Sequence, residues 1–303
     1  MRTPFRAALV GSVMAIVAPI VAPIVAPLGA CTLTTSLSGY AGQPDSRDEG
    51  GAGPDARTED GAVDARHDAA PDAPPLPQYA ATVLADSPLL YYRLGESNAA
   101  AKASDRSPSA RPASFKGGIN CGVPGAIVND PDTACRFDGK TSAVFLAGGA
   151  TFAGNVPYAL EAWARPTSFA GPSGHVVVAC EKEPSDGYAI FFYLDAQPRS
   201  ERETAAGNDG INGSLIDASG FRHIVATFDG TTQRLYVDAV LVASGPSSRA
   251  IPGAAGAPFS IGANGNADTN RFEGDIDEVA VYEHILTPER IRVHHKVGRG
   301  MGP

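Results

Sequence analysis

Nothing in this chain gathers positive charge. The 24 Lys and Arg are outnumbered by 33 Asp and Glu, and no basic stripe forms that could displace counterions from a phosphate backbone, so nucleic acid is excluded as a partner. Cys-x-x-Cys spacing is also missing, which removes the usual zinc frameworks. Glycine-rich pieces such as Gly262-Ala263-Asn264-Gly265-Asn266 lack the following Lys-Ser/Thr or the strand–helix context of a phosphate loop, and read as turns. Between Thr32 and Pro77 large apolar side chains are almost absent. That stretch carries nine acids and three arginines, hence −6 of the total −9, leaving −3 for the rest of the chain. Mixed Asp, Pro, Gly and Ala cannot bury a core, so these residues read as a disordered, solvated spacer.

What precedes the spacer is apolar. Arg2 and Arg6 lead into an uncharged run from Ala7 to Ala30, the pattern of a signal peptide. The run is long enough to span a bilayer as a retained anchor. Against that, Pro19, Pro23 and Pro27 each remove a helix hydrogen bond, and no basic stop-transfer cluster follows. The run ends in Leu28-Gly29-Ala30-Cys31, which resembles the bacterial lipobox. The resemblance implies cleavage before Cys31, acylation of its thiol and new amino terminus, and anchoring of an exported protein to the bacterial cell envelope. Thr32 rather than Asp after the cysteine implies the outer membrane. Several acyl chains on one residue anchor stably where one is marginal. The chain thus divides into a signal peptide (1–30), a lipidated cysteine with an acidic tether (31–77) and one foldable domain (78–300). As a flexible coil the tether reaches about 35–40 Å, with a stiffer proline-rich collar from Pro71 to Pro77.

The remaining cysteines are Cys121, Cys135 and Cys180. Export to an oxidising compartment favours a disulfide. Cys121 and Cys135 enclose a loop with Gly and Pro, and a bridge there needs only two neighbouring strands; a loop of that size stabilises by about 3 kcal/mol. Cys180 ends the apolar run Val176-Val177-Val178-Ala179 and reads as a buried thiol outside the bridge.

From Gln78 onward short segments rich in Val, Ile, Phe and Tyr alternate with turn residues. Strands are expected at 89–94, 143–146, 158–165, 175–180, 188–194, 221–228, 234–237, 241–244, 259–261 and 277–282. One helix start stands out, with Thr287 as N-cap, Pro288 at the first helical position and Glu289 in the first turn. The expected fold is all-β, a two-sheet antiparallel sandwich with a short C-terminal helix.

The ordered series Phe137-Asp138-Gly139, Leu160-Glu161-Ala162-Trp163, the run from Phe221 to Gly245, and Phe272-Glu273-Gly274-Asp275-Ile276-Asp277-Glu278-Val279-Ala280-Val281-Tyr282 before Leu286-Thr287-Pro288-Glu289 resembles the laminin-G-like, concanavalin A-type jelly roll over most of Tyr79 to Gly298. Asp238-Ala239 stands where that family usually has Asp-Gly. A two-residue hairpin turn commonly needs positive φ at both positions, which Ala resists, so the turn type there is open.

The resemblance implies an extracellular adhesion or binding module whose partner is a glycan or surface protein, and often one structural calcium; loop acids suit that ion. By position Glu96, Asp105 and Asp277 are its candidate side chains. Strand alternation places Glu161, Trp163 and Arg165 on one face, and Phe191 with Tyr193 on one face of another strand. If open, such faces could stack on a sugar and bind its hydroxyls; core packing is the alternative.

A competing reading is enzymatic. Glu273-x-Asp275-x-x-Glu278 resembles the catalytic strand of laminarinase-type retaining glycosidases, which need carboxyls about 5 Å apart. Glu273 and Glu278 fall on opposite strand faces unless a bulge intervenes, and Gly274 and Asp277 stand where that family prefers apolar residues. The acidic strand is therefore expected to be structural. A passive envelope scaffold is the third possibility. His223 reads as a strand residue, and adjacent His294 and His295 point to different helix faces, a poor arrangement for joint metal ligation.

Overall fold

Alternating apolar side chains fold this chain into two layers. The computed structural model describes residues 77–303, apart from 99, 151, 170–173, 183–185, 194, 205, 253–256 and 267. Cys31, the leader and the tether up to residue 76 lie outside the described residues. The elements in chain order are α1 (Gln78–Ala85), β1 (Leu90–Tyr92), β2 (Lys102–Ala103), β3 (Ala113–Lys116), β4 (Asn120–Pro124), β5 (Thr133–Asp138), β6 (Ala143–Leu146), β7 (Tyr158–Pro166), β8 (His175–Lys182), β9 (Asp186–Phe192), β10 (Pro198–Thr204), β11 (Gly207–Asn212), β12 (Arg222–Phe228), β13 (Thr232–Val237), β14 (Val240–Pro246), β15 (Phe259–Ile261), β16 (Glu273–Tyr282) and α2 (Pro288–Gly298).

The first sheet runs β14-β13-β12-β7-β16-β5-β4, with β1 also paired to β16; the second runs β11-β10-β9-β8-β15-β6-β3-β2. All pairings are antiparallel, giving the jelly-roll sandwich that the sequence predicts. Between the layers, Leu160, Ala162 and Ala164 of β7, Ile224, Ala226 and Phe228 of β12, and Ile276, Val279 and Val281 of β16 belong to one core with Val178 and Cys180 of β8 and Tyr188, Ile190 and Phe192 of β9. Cys121 and Cys135 face each other across β4 and β5 and form the disulfide. Cys180 is a buried thiol beside the Ala257 carbonyl.

The first sheet is buried on its other face too. There Ala159, Trp163, Val225, Tyr236, Ala280 and Tyr282 pack with Tyr79 and Val83 of α1 and Ile291 and Val297 of α2. Helix α2 starts as read: the Thr287 hydroxyl accepts from the Arg290 N–H at 3.3 Å, with Pro288 in the first turn. It ends at Gly298 against Trp163, where a Cβ would lie 2.4 Å from the indole. Among the described residues, no helix is long and apolar enough to cross a membrane.

Helix α1 was not foreseen, because Pro77 offers no side-chain cap and the preceding residues read as linker. Strands β10 and β11 also escaped the pattern. Pro198-Arg199-Ser200-Glu201-Arg202-Glu203-Thr204 has no apolar alternation, yet Arg202 is fully buried. Its guanidinium donates to the carbonyls of Arg249 (3.0 Å) and Gly154 (3.1 Å) and lies 3.6 Å over the Phe228 ring. Carbonyls and an aromatic face thus do there what an apolar side chain does elsewhere.

The β13–β14 turn resolves the Ala239 question. Asp238 has φ 49° and Ala239 φ 63°, the double left-handed geometry of a type I′ turn. Asp238 is held there by the His223 N–H (3.0 Å) and the Arg222 guanidinium (2.8 Å). Ala in this region is strained by about 1 kcal/mol, whereas Gly is not but loses more chain entropy on folding. Ala239→Gly is therefore expected to raise stability by about 0.5 kcal/mol and the melting temperature by about 1–2 °C, and Ala239→Val to lower it. A calorimetric scan in which the glycine variant melts lower would contradict this turn assignment.

Candidate functional site

The face that sequence alternation assigned to Glu161, Trp163 and Arg165 is mostly closed. Glu161 and Trp163 have no exposed surface, because α1 and α2 lie across them. This corrects the expectation of an open sugar-stacking platform there. Glu161 instead accepts hydrogen bonds from Tyr79 (3.0 Å), His223 Nε2 (2.7 Å), Tyr282 (2.6 Å) and His294 Nδ1 (2.9 Å). The Trp163 indole N–H donates to Tyr79 Oη at 2.8 Å. His294 Nε2 reaches Asp86 at 2.7 Å, and Arg290 binds the same carboxylate. Burial alone would raise the Glu161 pKa; the His294 charge and the bonds from both histidines overcome this and hold it well below the ordinary range. Burial likewise opposes the His294 charge, but Glu161 and Asp86 push its pKa up to about 9. His294 is thus an imidazolium between two carboxylates, and His295 on the next position stacks beside Trp163 instead, 6.0 Å between centroids.

The acidic strand carries the bulge that would bring its acids together. In β16, Asp277 pairs with Trp163 and Ala280 with Glu161, so two residues oppose Ala162. Glu278 takes φ 51°. Ile276 and Val279 both enter the inter-sheet core, which turns Asp277 and Glu278 together to the opposite face. There Glu278 is buried, bonded by the Tyr91 hydroxyl and by Arg93 at 2.8 and 2.9 Å, while Arg93 also reaches Asp130 (2.7 Å) and Asp132 (3.0 Å). Burial pushes Glu278 up to about 7 although Arg93 and Tyr91 favour its charge. Burial, reinforced by Glu278, raises Asp277 as well.

Of the three calcium candidates, Asp105 is occupied by its own loop, accepting from the N–H groups of Tyr91, Ser107 and Arg111 at 2.9 Å. Glu96 accepts from Ser104 N–H at 2.8 Å. Asp277 accepts from Ala126 N–H at 2.8 Å and keeps Oδ1 buried without a partner. Among the described residues no three acids, histidines or cysteines gather as a metal-binding group.

Open polar surface lies in two other places. Arg165 sits beyond the edge of the helices, on the same buried Asp275 that Arg136 binds at 2.7 Å. On the second sheet, Phe191 and Tyr193 do share a face, 6.2 Å apart and tilted by 40°. Tyr193 is 48% exposed. Phe191 faces Arg199 across β10, and Arg199 faces Asn212 across β11. The Arg199 guanidinium lies 5.8 Å from the Phe191 ring and binds Glu201 (2.6 Å) and Asn212 (2.8 Å). The row beside it, Ala179, Ala189, Glu201 and Gly210, is small except for Glu201. Sequence reading found the two aromatics by alternation. It missed Arg199, Glu201 and Asn212 because β10 and β11 carry no strand pattern.

The Glu161 cluster makes a pH prediction. His294 binds its proton more tightly folded than unfolded, so its contribution is complete below about pH 6.5 and is lost as pH rises through about 9. Glu278, a carboxyl raised on folding, acts lower, removing stability between about pH 4.5 and 7. A melting scan from pH 7 to 9.5 is therefore expected to fall by roughly 5–10 °C, and His294→Asn, less stable at pH 7, to flatten that fall. An equally steep decline in the variant would assign it elsewhere.

Comparison with solved structures shows similarity to the binding domain of Paraclostridial Mosquitocidal Protein 1 (TM-score 0.55, 15% identity, 70% of this chain and 52% of that one). It shows similarity also to domain 4 of AbnA, an extracellular GH43 arabinanase from Geobacillus stearothermophilus, solved in complex with arabinotriose (TM-score 0.55, 20% identity, 68% of this chain and 97% of that one). The binding domain of botulinum neurotoxin serotype G is a third (TM-score 0.52, 10% identity, 69% of this chain and 51% of that one). The chain spans about half the length of the toxin domains it matches. No curated protein matches it in sequence. At these identities the likeness shows the fold. The family model for concanavalin A-like lectins and glucanases, however, matches residues 138–292, more than half of the chain, and with the two-sheet architecture this shows that the chain belongs to the concanavalin A-like lectin/glucanases superfamily.

Proposed function

We propose that this protein is a non-catalytic glycan-binding module, exported and lipid-anchored to the bacterial cell envelope through Cys31, and that it takes its ligand on the outer face of the second sheet. The observation that carries this is the in-register row Phe191, Arg199 and Asn212 with half-exposed Tyr193 beside it. A sugar ring presents an apolar C–H face to an aromatic ring and a hydroxyl edge to polar side chains. Here the aromatics provide the first surface, and the Arg199 guanidinium and Asn212 amide provide donors and acceptors for the second, with the buried Glu201 carboxylate, bonded to Arg199 and Asn208, holding the guanidinium in place. Ala179 and Ala189 are buried with Phe191 packed against them, and the Arg199 guanidinium lies over Gly210, so the neighbouring row supports the ring and the guanidinium from below. The arabinanase domain of the same fold, solved with arabinotriose, supports a carbohydrate ligand. An acidic tether would hold this face clear of the membrane, free to meet a glycan or a glycoprotein on a neighbouring surface.

The buried state of Glu278 supports a binding role over hydrolysis. A retaining glycosidase needs both carboxyls at the sugar, and Glu278 is covered and ion-paired to Arg93.

A glycan array probed with the full chain, followed by calorimetric titration of the best ligand, tests both parts. Phe191→Ala and Tyr193→Ala are each expected to weaken binding about tenfold, while Glu278→Gln leaves it unchanged and no reducing sugar is released. Unaltered affinity in both aromatic variants would remove this face from consideration. Hydrolysis of β-glucan abolished by Glu278→Gln would make the protein an enzyme.

A further inference from the structure

We infer that the outer face of the first sheet holds a second site, a cleft that receives the carboxylate of an acidic sugar. It lies where the helices stop. Asp275 stands directly opposite Arg136 on β5 and Arg165 on β7, and it is fully buried. Arg136 binds it through Nε (2.7 Å) and NH2 (3.1 Å), and Arg165 through Nε (2.9 Å) and NH2. Two guanidiniums on one carboxylate leave a net charge of +1, because arginine stays protonated.

Both arginines are partly open, with 48% and 28% of their side chains exposed. Among the described residues neither NH1 has a hydrogen-bond partner. Arg136 grips both oxygens of Asp275 and Arg165 donates twice to Oδ2; two bonds per guanidinium fix its plane, so the remaining N–H groups are oriented before any ligand arrives. They border a cleft of about 440 Å³ lined also by Thr167, Phe169 and Ser219, a volume that suits a small ligand. Phe169 supplies an apolar surface for a ring and the Thr167 hydroxyl a bond to its oxygens, while the Ser219 hydroxyl, which donates to Asp217 at 2.9 Å, can accept from a sugar hydroxyl.

The surrounding charges give the cleft a direction. On the far side of Arg136 a second cleft is lined by Asp138 and Glu273. Asp138 is taken up by its own turn, accepting from the N–H groups of Lys140, Thr141 and Ser142. An anion is repelled from that side and directed to the Thr167–Ser219 side. Nearby Asp217 is paired with Arg222 at 3.3 Å. The chain as a whole is acidic, at −9, so it has no general attraction for polyanions and selectivity must come from this local pair. The site rests on the glycan-binding reading for its ligand class but uses none of the residues of the Phe191 face.

Trigalacturonate and its methyl ester, titrated into the full-length protein, separate the carboxylate from the rest of the sugar. The acid is expected to bind at least about tenfold more tightly than the ester. That preference should vanish in Arg136→Gln, which leaves Asp275 paired to Arg165, and in Ala218→Trp, which fills the cleft without touching the ion triad. Melting temperatures verify that both variants are folded, and the second keeps the test valid should the first unfold. Equal binding of acid and ester, no binding of the acid, or a preference that survives both substitutions would each overturn the site. A sulfated disaccharide that binds the same cleft more tightly than trigalacturonate would overturn its assignment to a carboxylate. Binding of a neutral glycan that depends on Phe191, without any acid preference, would overturn this cleft and leave the first reading standing.

Discussion

A carboxylate without exposed surface organises one side of this fold. Burying a charge costs several kcal/mol unless every lone pair finds a donor and a counter-charge lies close. Glu161 meets that condition only because four donors arrive from separate elements: Tyr79 from α1, His223 from β12, Tyr282 from β16 and His294 from α2. Removing any one element leaves the charge under-solvated in an apolar layer. The helices are thus held to the sheet by a polar requirement as well as by the packing of Val83, Ile291 and Val297. Their position in turn decides which part of the first sheet is covered and which part, around Asp275, stays open.

The sequence made β7, β12 and β16 legible because these central strands are apolar runs buried on both faces, and α2 because Thr287 and Pro288 mark its start. Alternation correctly placed Glu161 with Trp163 and Phe191 with Tyr193. It could not say which of those faces would be covered. The cover on the first face comes partly from α1, which has no capping residue and follows a proline-rich stretch, so its only sequence signal is the spacing of Tyr79, Ala80 and Val83. On the second sheet the aromatics were visible and their polar partners were not. Arg199 and Glu201 lie on β10, whose inward residues are Ser200, Arg202 and Thr204, so the strand period is written there in hydrogen bonds rather than in hydrophobicity; on β11, which carries Asn212, Ile211 alone packs against the core.

The acidic strand shows the same limit in another form. Glu273, Asp275, Asp277 and Glu278 read as one motif, yet they are divided between two surroundings. Strand β16 keeps β7 on one edge throughout but exchanges β5 for β1 on the other, and the bulge at Glu278 falls at that exchange. Asp275, before it, ties two arginines beside open solvent. Asp277 and Glu278, at it, turn under the covered half, Glu278 on Arg93 and Asp277 on the Ala126 N–H. The pattern of a catalytic motif is thus produced by a strand that changes partners, and a spacing of letters does not distinguish the two.

The placement of Tyr79 has a mechanical side. It is the second residue of α1, immediately after the proline-rich stretch, and its hydroxyl both donates to Glu161 and accepts from Trp163. Any pull transmitted along the chain from the amino-terminal side enters the fold at this helix. The load passes first to the Glu161 cluster and from there into β7, whose two edges are paired along its length with β12 and β16. Tension entering at α1 would thus run through the centre of the sheet rather than peel a free edge, and the bonds it meets first are charge-assisted ones around Glu161.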